Sequence, residues 1–316
     1  MKAVLLTQAG GSENLILGNI DKPVIKDNEV LVEVKGISIN PADVKAKESD
    51  ELLGMMFGPE RPLLLGWDIS GIVSEVGSKV SNFKVGDRVF GMINFPGQGK
   101  AYAEYVASPE DHLALIPENT SFTDAAATTL AALTALQILK GNIVEGSRVL
   151  IQGGAGGVGH FAIQIAKSMG AYVITTASNE NKDFVVSLGA DEVIDYKTSE
   201  FDQVAKDIDF FFDIFGGDAL KRAFTVVKEG GKVATTAGGA PGTSPEEMEE
   251  LVDKYKVEYR PMLVNSGAED METLANMLAD GTLKANVYTT YPLEEMAAAH
   301  DNLASGHAVG KLVVTV

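Results

Sequence analysis

The sequence predicts an α/β protein of two domains, a mostly-β module joined to a doubly wound parallel sheet. Three features carry that prediction. Short alternating strands cut by glycine and proline fill the first 120 residues. Beyond Gly146, short apolar strands alternate with helical segments. The first of those strands runs through a glycine-rich turn straight into a helix.

Taken in order, EVLVEVKGISI (29–39) alternates for much of its length, as a half-buried strand should. DISGIVSEVG and KVGDRVFGMI behave similarly, with VGD as the turn. At SFTDAAATTLAALTALQIL the texture changes, and Thr123 or Asp124 can cap a helix running to about Lys140. RVLIQ, AYVITT, DEVIDY, DFFFDIF and KVATTA then read as strands. HFAIQIAKSMG, NKDFVVSLG and GDALKRAFTVVKEG read as the helices between them. SPEEMEELVDKYK is a polar helix and VEYRPMLV a sixth strand. A helix near 271–280, a strand, a helix near 293–303 and the strand GKLVVTV follow. Six strands complete the second sheet, so the tail is expected to rejoin the first domain. The expected domains are 1–119 with 266–316, and 120–265.

The 316 residues carry a net charge of −18, which argues against nucleic acid or an anionic membrane as partner. With no cysteine, disulfides, thiol catalysis and cysteine-ligated zinc are excluded. The four histidines form no HxxxH pair, so no metal is expected. The opening MKAVLLTQAGG has too short an apolar run for a signal peptide, and 125–139 is too short to span a bilayer. A cytoplasmic protein is expected.

VLIQGGAGGVGHFAIQIAKSMGA is the most informative segment. Gly154, Gly156 and Gly159 satisfy GxGxxG, with Ala155, Gly157 and Val158 completing the turn. One glycine serves the tight turn, one admits a pyrophosphate, and one allows close helix–strand packing. The helix N-terminus supplies free N–H groups and a positive dipole end. This is a Rossmann dinucleotide site by context as well as by motif. The next strand, YVITTAS, ends without the carboxylate that would hold an unmodified adenosine ribose. Ser178, Asn181, Lys182 and Tyr196 are candidates for a 2′-phosphate, so NADP(H) is expected, although Glu180 in the same loop speaks against it.

GWDISGIVSEVG sets Asp68 beside the only tryptophan, Trp67. A metal ligand, a catalytic acid and a structural acceptor are the alternatives. The structural one is favoured, with backbone or a partner such as Lys45 donating to Asp68.

An all-β domain followed by a GGVG-type unit resembles the medium-chain dehydrogenase/reductase superfamily, and within it the zinc-free quinone oxidoreductase (zeta-crystallin-like) branch. SINPADVKAKE, GWDISGIVSEVG, FKVGDRVFG, AYAEYV, AAATTLAALTA, GADEVIDY and GHAVGKLVVTV carry the resemblance over essentially the whole chain. Gly146, Leu150, Gly156, Gly157, Gly159, Gln164 and Lys167 match the branch signature, and Ser147 departs from it. The resemblance implies a GroES-like first domain, a homodimer, and direct hydride transfer from NADPH to a quinone or α,β-unsaturated carbonyl. The alternatives are an alkenal reductase with little quinone activity, or a non-catalytic NADPH-binding protein. Asn40 is the expected catalytic donor to the substrate carbonyl, with capping of the turn before Pro41 as its ordinary role. Thr134 resembles a cofactor-contacting threonine. Gly238, Gly239 and Asn265, at the ends of the fifth and sixth strands, are further cofactor candidates. Lys311 is read either as reaching a cofactor phosphate or as a plain surface lysine.

Overall fold

The computed structural model describes residues 1–236 and 242–316. The chain divides into two compact units, Met1–Leu133 with Asn265–Val316, and Thr134–Val264.

In the first unit the long strand Glu29–Ile39 is the hub. Asp68–Val76 lies antiparallel on one side of it and Lys311–Thr315 antiparallel on the other. Arg88–Met92 and Leu113–Leu115 extend the sheet beyond Asp68–Val76, Val287–Pro292 extends it beyond Lys311–Thr315, and Tyr105–Pro109 also pairs with the hub. Leu15–Asn19, Lys2–Leu6 and Leu63–Leu64 form a small second sheet. The hub strand is buried on both faces at most positions, because the helix Phe122–Ala127 packs on it as well. Register fixes which side chains meet at its end. Ile39 lies opposite Leu312 and Ser38 opposite Asp68, which brings Asn40, Asp68 and Lys311 to one end of three neighbouring strands.

The second unit is a six-stranded all-parallel sheet. Its order is Glu192–Asp195, Tyr172–Ala177, Arg148–Ile151, Ile208–Asp213, Val227–Thr235, Glu258–Pro261, the 3-2-1-4-5-6 arrangement of a doubly wound nucleotide-binding sheet. Leu150, Ile174, Phe211 and Val233 on its strands join Leu220, Ala223 and Met248 from the helices in one apolar core.

Two local expectations are corrected, and two helices are added. The single helix expected up to Lys140 is two, Phe122–Ala127 and Leu130–Leu139, and Ser121 rather than Thr123 or Asp124 caps the first. Thr128 and Thr129 turn their hydroxyls back onto the carbonyls of Asp124 and Ala126, which suits a helix end better than a helix interior. Residues 41–57, to which the sequence assigned no element, form the helices Pro41–Glu48 and Asp50–Phe57. Pro41 sits in the first turn, where its missing N–H is no loss, and Ser49 caps the second helix. The sixth strand stops at Pro261, so Asn265 lies beyond it.

Candidate active site

The glycine loop is built from the second unit alone. Gly153, with φ +61°, turns the chain out of the strand Arg148–Ile151. Its N–H donates to Thr176 Oγ1 at 2.9 Å, and Gly154 N–H donates to the Thr176 carbonyl at 2.9 Å, tying the loop to the neighbouring strand. A Cβ on Gly154 would stand 2.2 Å from Thr175 Oγ1, and one on Gly159 2.1 Å from the Gly153 carbonyl oxygen. The loop is therefore closed to side chains from behind. At the start of the helix Gly159–Ser168, the amides of Gly157, Val158 and Gly159 have no protein acceptor among the described residues. Open amides at a helix N-terminus, on a loop too tight for side chains at Gly154 and Gly159, fit the pyrophosphate of a dinucleotide.

Ser178 is buried at the end of the strand Tyr172–Ala177, and Asn181 closes the short turn that follows. Lys182 is exposed, and Tyr196 follows the strand Glu192–Asp195 at 60% exposure. Glu180 is paired with Lys197 at 3.3 Å, so its charge is countered by a cation that sequence reasoning missed. Phe215 was also missed. It is 65% exposed, and a Cβ on Gly153 would lie 2.8 Å from its ring. The signal was a phenylalanine placed just past the end of the strand Ile208–Asp213. Thr134 is buried in the helix Leu130–Leu139, and Asn265 is exposed. Gly238 and Gly239 lie outside the described residues.

The first unit holds a buried polar cluster. Asn40 Nδ2 donates to Asp68 Oδ2 at 2.8 Å, and Lys311 Nζ donates to Asn40 Oδ1 and, at 3.0 Å, to the Ile39 carbonyl. Asp68 Oδ1 accepts from Leu130 N–H at 3.1 Å, a carboxylate at a helix N-terminus. The expected structural role for Asp68 stands, with Asn40 and Leu130 as donors in place of Lys45, which is exposed. Trp67 is fully buried between Phe57 and Phe95, and its Nε1–H donates to the Gly97 carbonyl at 2.7 Å. Lys311 is 3% exposed, which corrects its reading as a surface lysine.

Asp43 Oδ2 accepts from Asn40 N–H at 2.8 Å, and Tyr102 Oη and His300 Nε2 are 2.9 Å apart. Among the described residues His300 Nδ1 has no hydrogen-bond partner, and Tyr102 is the side chain that faces the Asp43 carboxyl. Burial, with the nearby Asp68 charge, pushes the Asp43 carboxyl up to about 7. Burial, with the positive charge of Lys47, pushes His300 down to about 3. Burial lifts Asp68 and lowers Lys311, and their mutual attraction opposes both shifts.

Residues 26–118 match the alcohol dehydrogenase GroES-like domain, and 188–314 match a family described as zinc-binding dehydrogenase. The chain is 33% identical to the chloroplast envelope quinone oxidoreductase homolog of Arabidopsis thaliana, over 96% of this chain and 95% of that one. It is 34% identical to the chloroplastic NADPH-dependent alkenal/one oxidoreductase of the same plant, over 99% of this chain and 79% of that one. The solved quinone oxidoreductase from Coxiella burnetii superposes with a TM-score of 0.92 at 34% identity, covering 100% of this chain and 99% of that one. Fold, glycine loop and relatives together define a pyridine-nucleotide-binding oxidoreductase. The chain belongs to the quinone oxidoreductase branch of the medium-chain dehydrogenase/reductase superfamily.

The zinc in the second family description finds no matching residues here. The chain has no cysteine, both Asp68 oxygens are engaged, and among the described residues no group of three His, Asp or Glu is placed to hold an ion. Among the described residues no helix is long and apolar enough to cross a membrane.

Proposed function

We propose that the protein is an NADPH-dependent reductase of quinones or α,β-unsaturated carbonyls. The glycine loop carries this reading, because its open amides and the close packing at Gly154 and Gly159 suit a dinucleotide pyrophosphate. When bound, the nicotinamide supplies a hydride. An electron-poor acceptor spreads the resulting negative charge over its conjugated system, so orientation and modest electrostatic help suffice. Gly154, Ala155, Gly156, Gly157, Val158 and Gly159 hold the pyrophosphate. Ser178, Asn181, Lys182 and Tyr196 hold the 2′-phosphate, and Lys197 neutralises Glu180. Asn40, 1% exposed, donates the Nδ2 hydrogen that does not go to Asp68 to the acceptor carbonyl once the acceptor is seated against it.

The test is NADPH consumption with a 1,4-benzoquinone and with a 2-alkenal. Turnover of either supports the reading, and a strong alkenal preference selects the reductase form. If neither exceeds background while NADPH still raises the unfolding temperature, the protein binds without catalysing. For the 2′-phosphate, Lys197→Ala leaves Glu180 unpaired. It is expected to raise the KM for NADPH about 3- to 10-fold, an exposed charge pair being worth roughly 1 kcal/mol, with little change for NADH. Equal effects on both cofactors would refute that role. The reading extends to a cytoplasmic homodimer, which cell fractionation and light scattering check.

A further inference from the structure

We propose that Lys311 is a positioning residue that fixes the Asn40 carboxamide in the one orientation in which it can donate to a substrate carbonyl. This rests on the reading of Asn40 given above. The strand register delivers the geometry. With Ile39 opposite Leu312, Lys311 arrives beside Asn40, and Asp68 arrives from the strand on the other side. The ammonium meets the amide oxygen and the carboxylate meets the amide nitrogen. Turning the amide over would set its NH2 against the ammonium and its oxygen against the carboxylate, two repulsive contacts in a buried site. A neutral asparagine buried at a strand end could be satisfied by backbone groups. Here it is held instead by two ions that are themselves at most 3% exposed, and burying ions is expensive unless they are tightly paired. The ammonium also polarises the amide through its oxygen, which strengthens the remaining N–H as a donor. Lys311 gives its other identified hydrogen bond to the Ile39 carbonyl. It thus acts within the first unit, through Asn40, and this assignment replaces a contact to a cofactor phosphate.

Lys311→Met, Asn40→Ala and the double variant test the idea, with kcat for a benzoquinone and Kd for NADPH as readouts. Lys311→Met is expected to lower kcat about 10- to 100-fold, approaching the loss of a carbonyl-stabilising donor, with Kd changed less than about twofold. In the Asn40→Ala background it should cost nothing further, since residues acting through one another are not additive. Lys311→Arg, which keeps a cation at the amide oxygen, should recover much of the rate. If Lys311→Met does not fold, Asp68→Asn probes the same orientation from the other side, with the same silence expected in the Asn40→Ala background. Losses that multiply in the double variant overturn the positioning role alone. A tenfold weaker Kd with kcat retained overturns it in favour of a cofactor contact. An unchanged kcat in Asn40→Ala overturns the reading of Asn40 itself, and the inference with it.

Discussion

Alanine at Gly159 is expected to destabilise the protein and abolish NADPH binding, whereas alanine at Gly54 stabilises it. Both glycines lie in helices, and neither has a positive φ. On propensity alone each substitution should gain about 0.5–1 kcal/mol, because alanine has less backbone freedom to lose. At Gly54 a new Cβ meets nothing within 4 Å, so that gain should appear as a small rise in unfolding temperature. At Gly159 the Cβ would lie 2.1 Å from the Gly153 carbonyl oxygen and 2.8 Å from Gly154 Cα. Those atoms are backbone of the glycine loop and cannot swing aside as a flexible side chain would. Overpacking of this kind costs about 1–3 kcal/mol or more, enough to reverse the sign. The helix must back away from the loop, and the amides of Gly157 to Gly159 then lose their common aim. Thermal unfolding with and without NADPH decides the matter. A Gly159→Ala protein still stabilised by NADPH as the parent is would show that the loop does not bind through this geometry.

The second unit was largely legible in the sequence, because each of its elements is specified locally. RVLIQ, AYVITT and the strands after them are short apolar runs, and glycines mark the turn into the first helix. The first unit was legible in outline and obscure at its polar centre. Asn40, Asp68 and Lys311 are separated by 28 and 243 residues, and only the pairing of three strands joins them. Nothing around Lys311 in GHAVGKLVVTV distinguishes a buried lysine from a surface one, since its partners are at the far end of the chain. The helix Asp50–Phe57 escaped for a different reason. Its Gly54 lowers helix propensity, and Leu53 and Phe57 are its only buried side chains, too few to show a period. The break at Thr128 and Thr129 is likewise set from a distance, by Asp68 drawing the Leu130 N–H to itself.

Asp43 and His300 should hide each other's pH dependence, and removing either should reveal the other with opposite sign. Around Asp43 stand Asp68, Lys311 and Tyr102; around His300 stand Tyr102, Lys47 and Asp301. Asp43 titrates near 3.8 when unfolded and about 7 when folded, so the folded state holds its proton more tightly. That contribution is complete below about pH 4 and is lost as pH rises to 7. His300 titrates near 6.5 when unfolded and about 3 when folded, so its contribution is complete above about pH 6.5 and is lost as pH falls. Between those limits the folded pair carries its proton on Asp43 and the unfolded pair carries it on His300. The counts match, and the pair adds no slope. In Asp43→Asn the histidine acts alone, and stability should rise with pH between 4 and 6.5 relative to the parent. In His300→Gln the carboxyl acts alone, and stability should fall over the same range. Each slope approaches at most about 1.4 kcal/mol per pH unit. Because Asp68 is also shifted by burial, the parent curve has a slope of its own, and the differences between curves are what count. Urea unfolding at intervals between pH 4 and 7 measures them. Variant curves that run parallel to the parent would mean that neither group titrates as its burial demands.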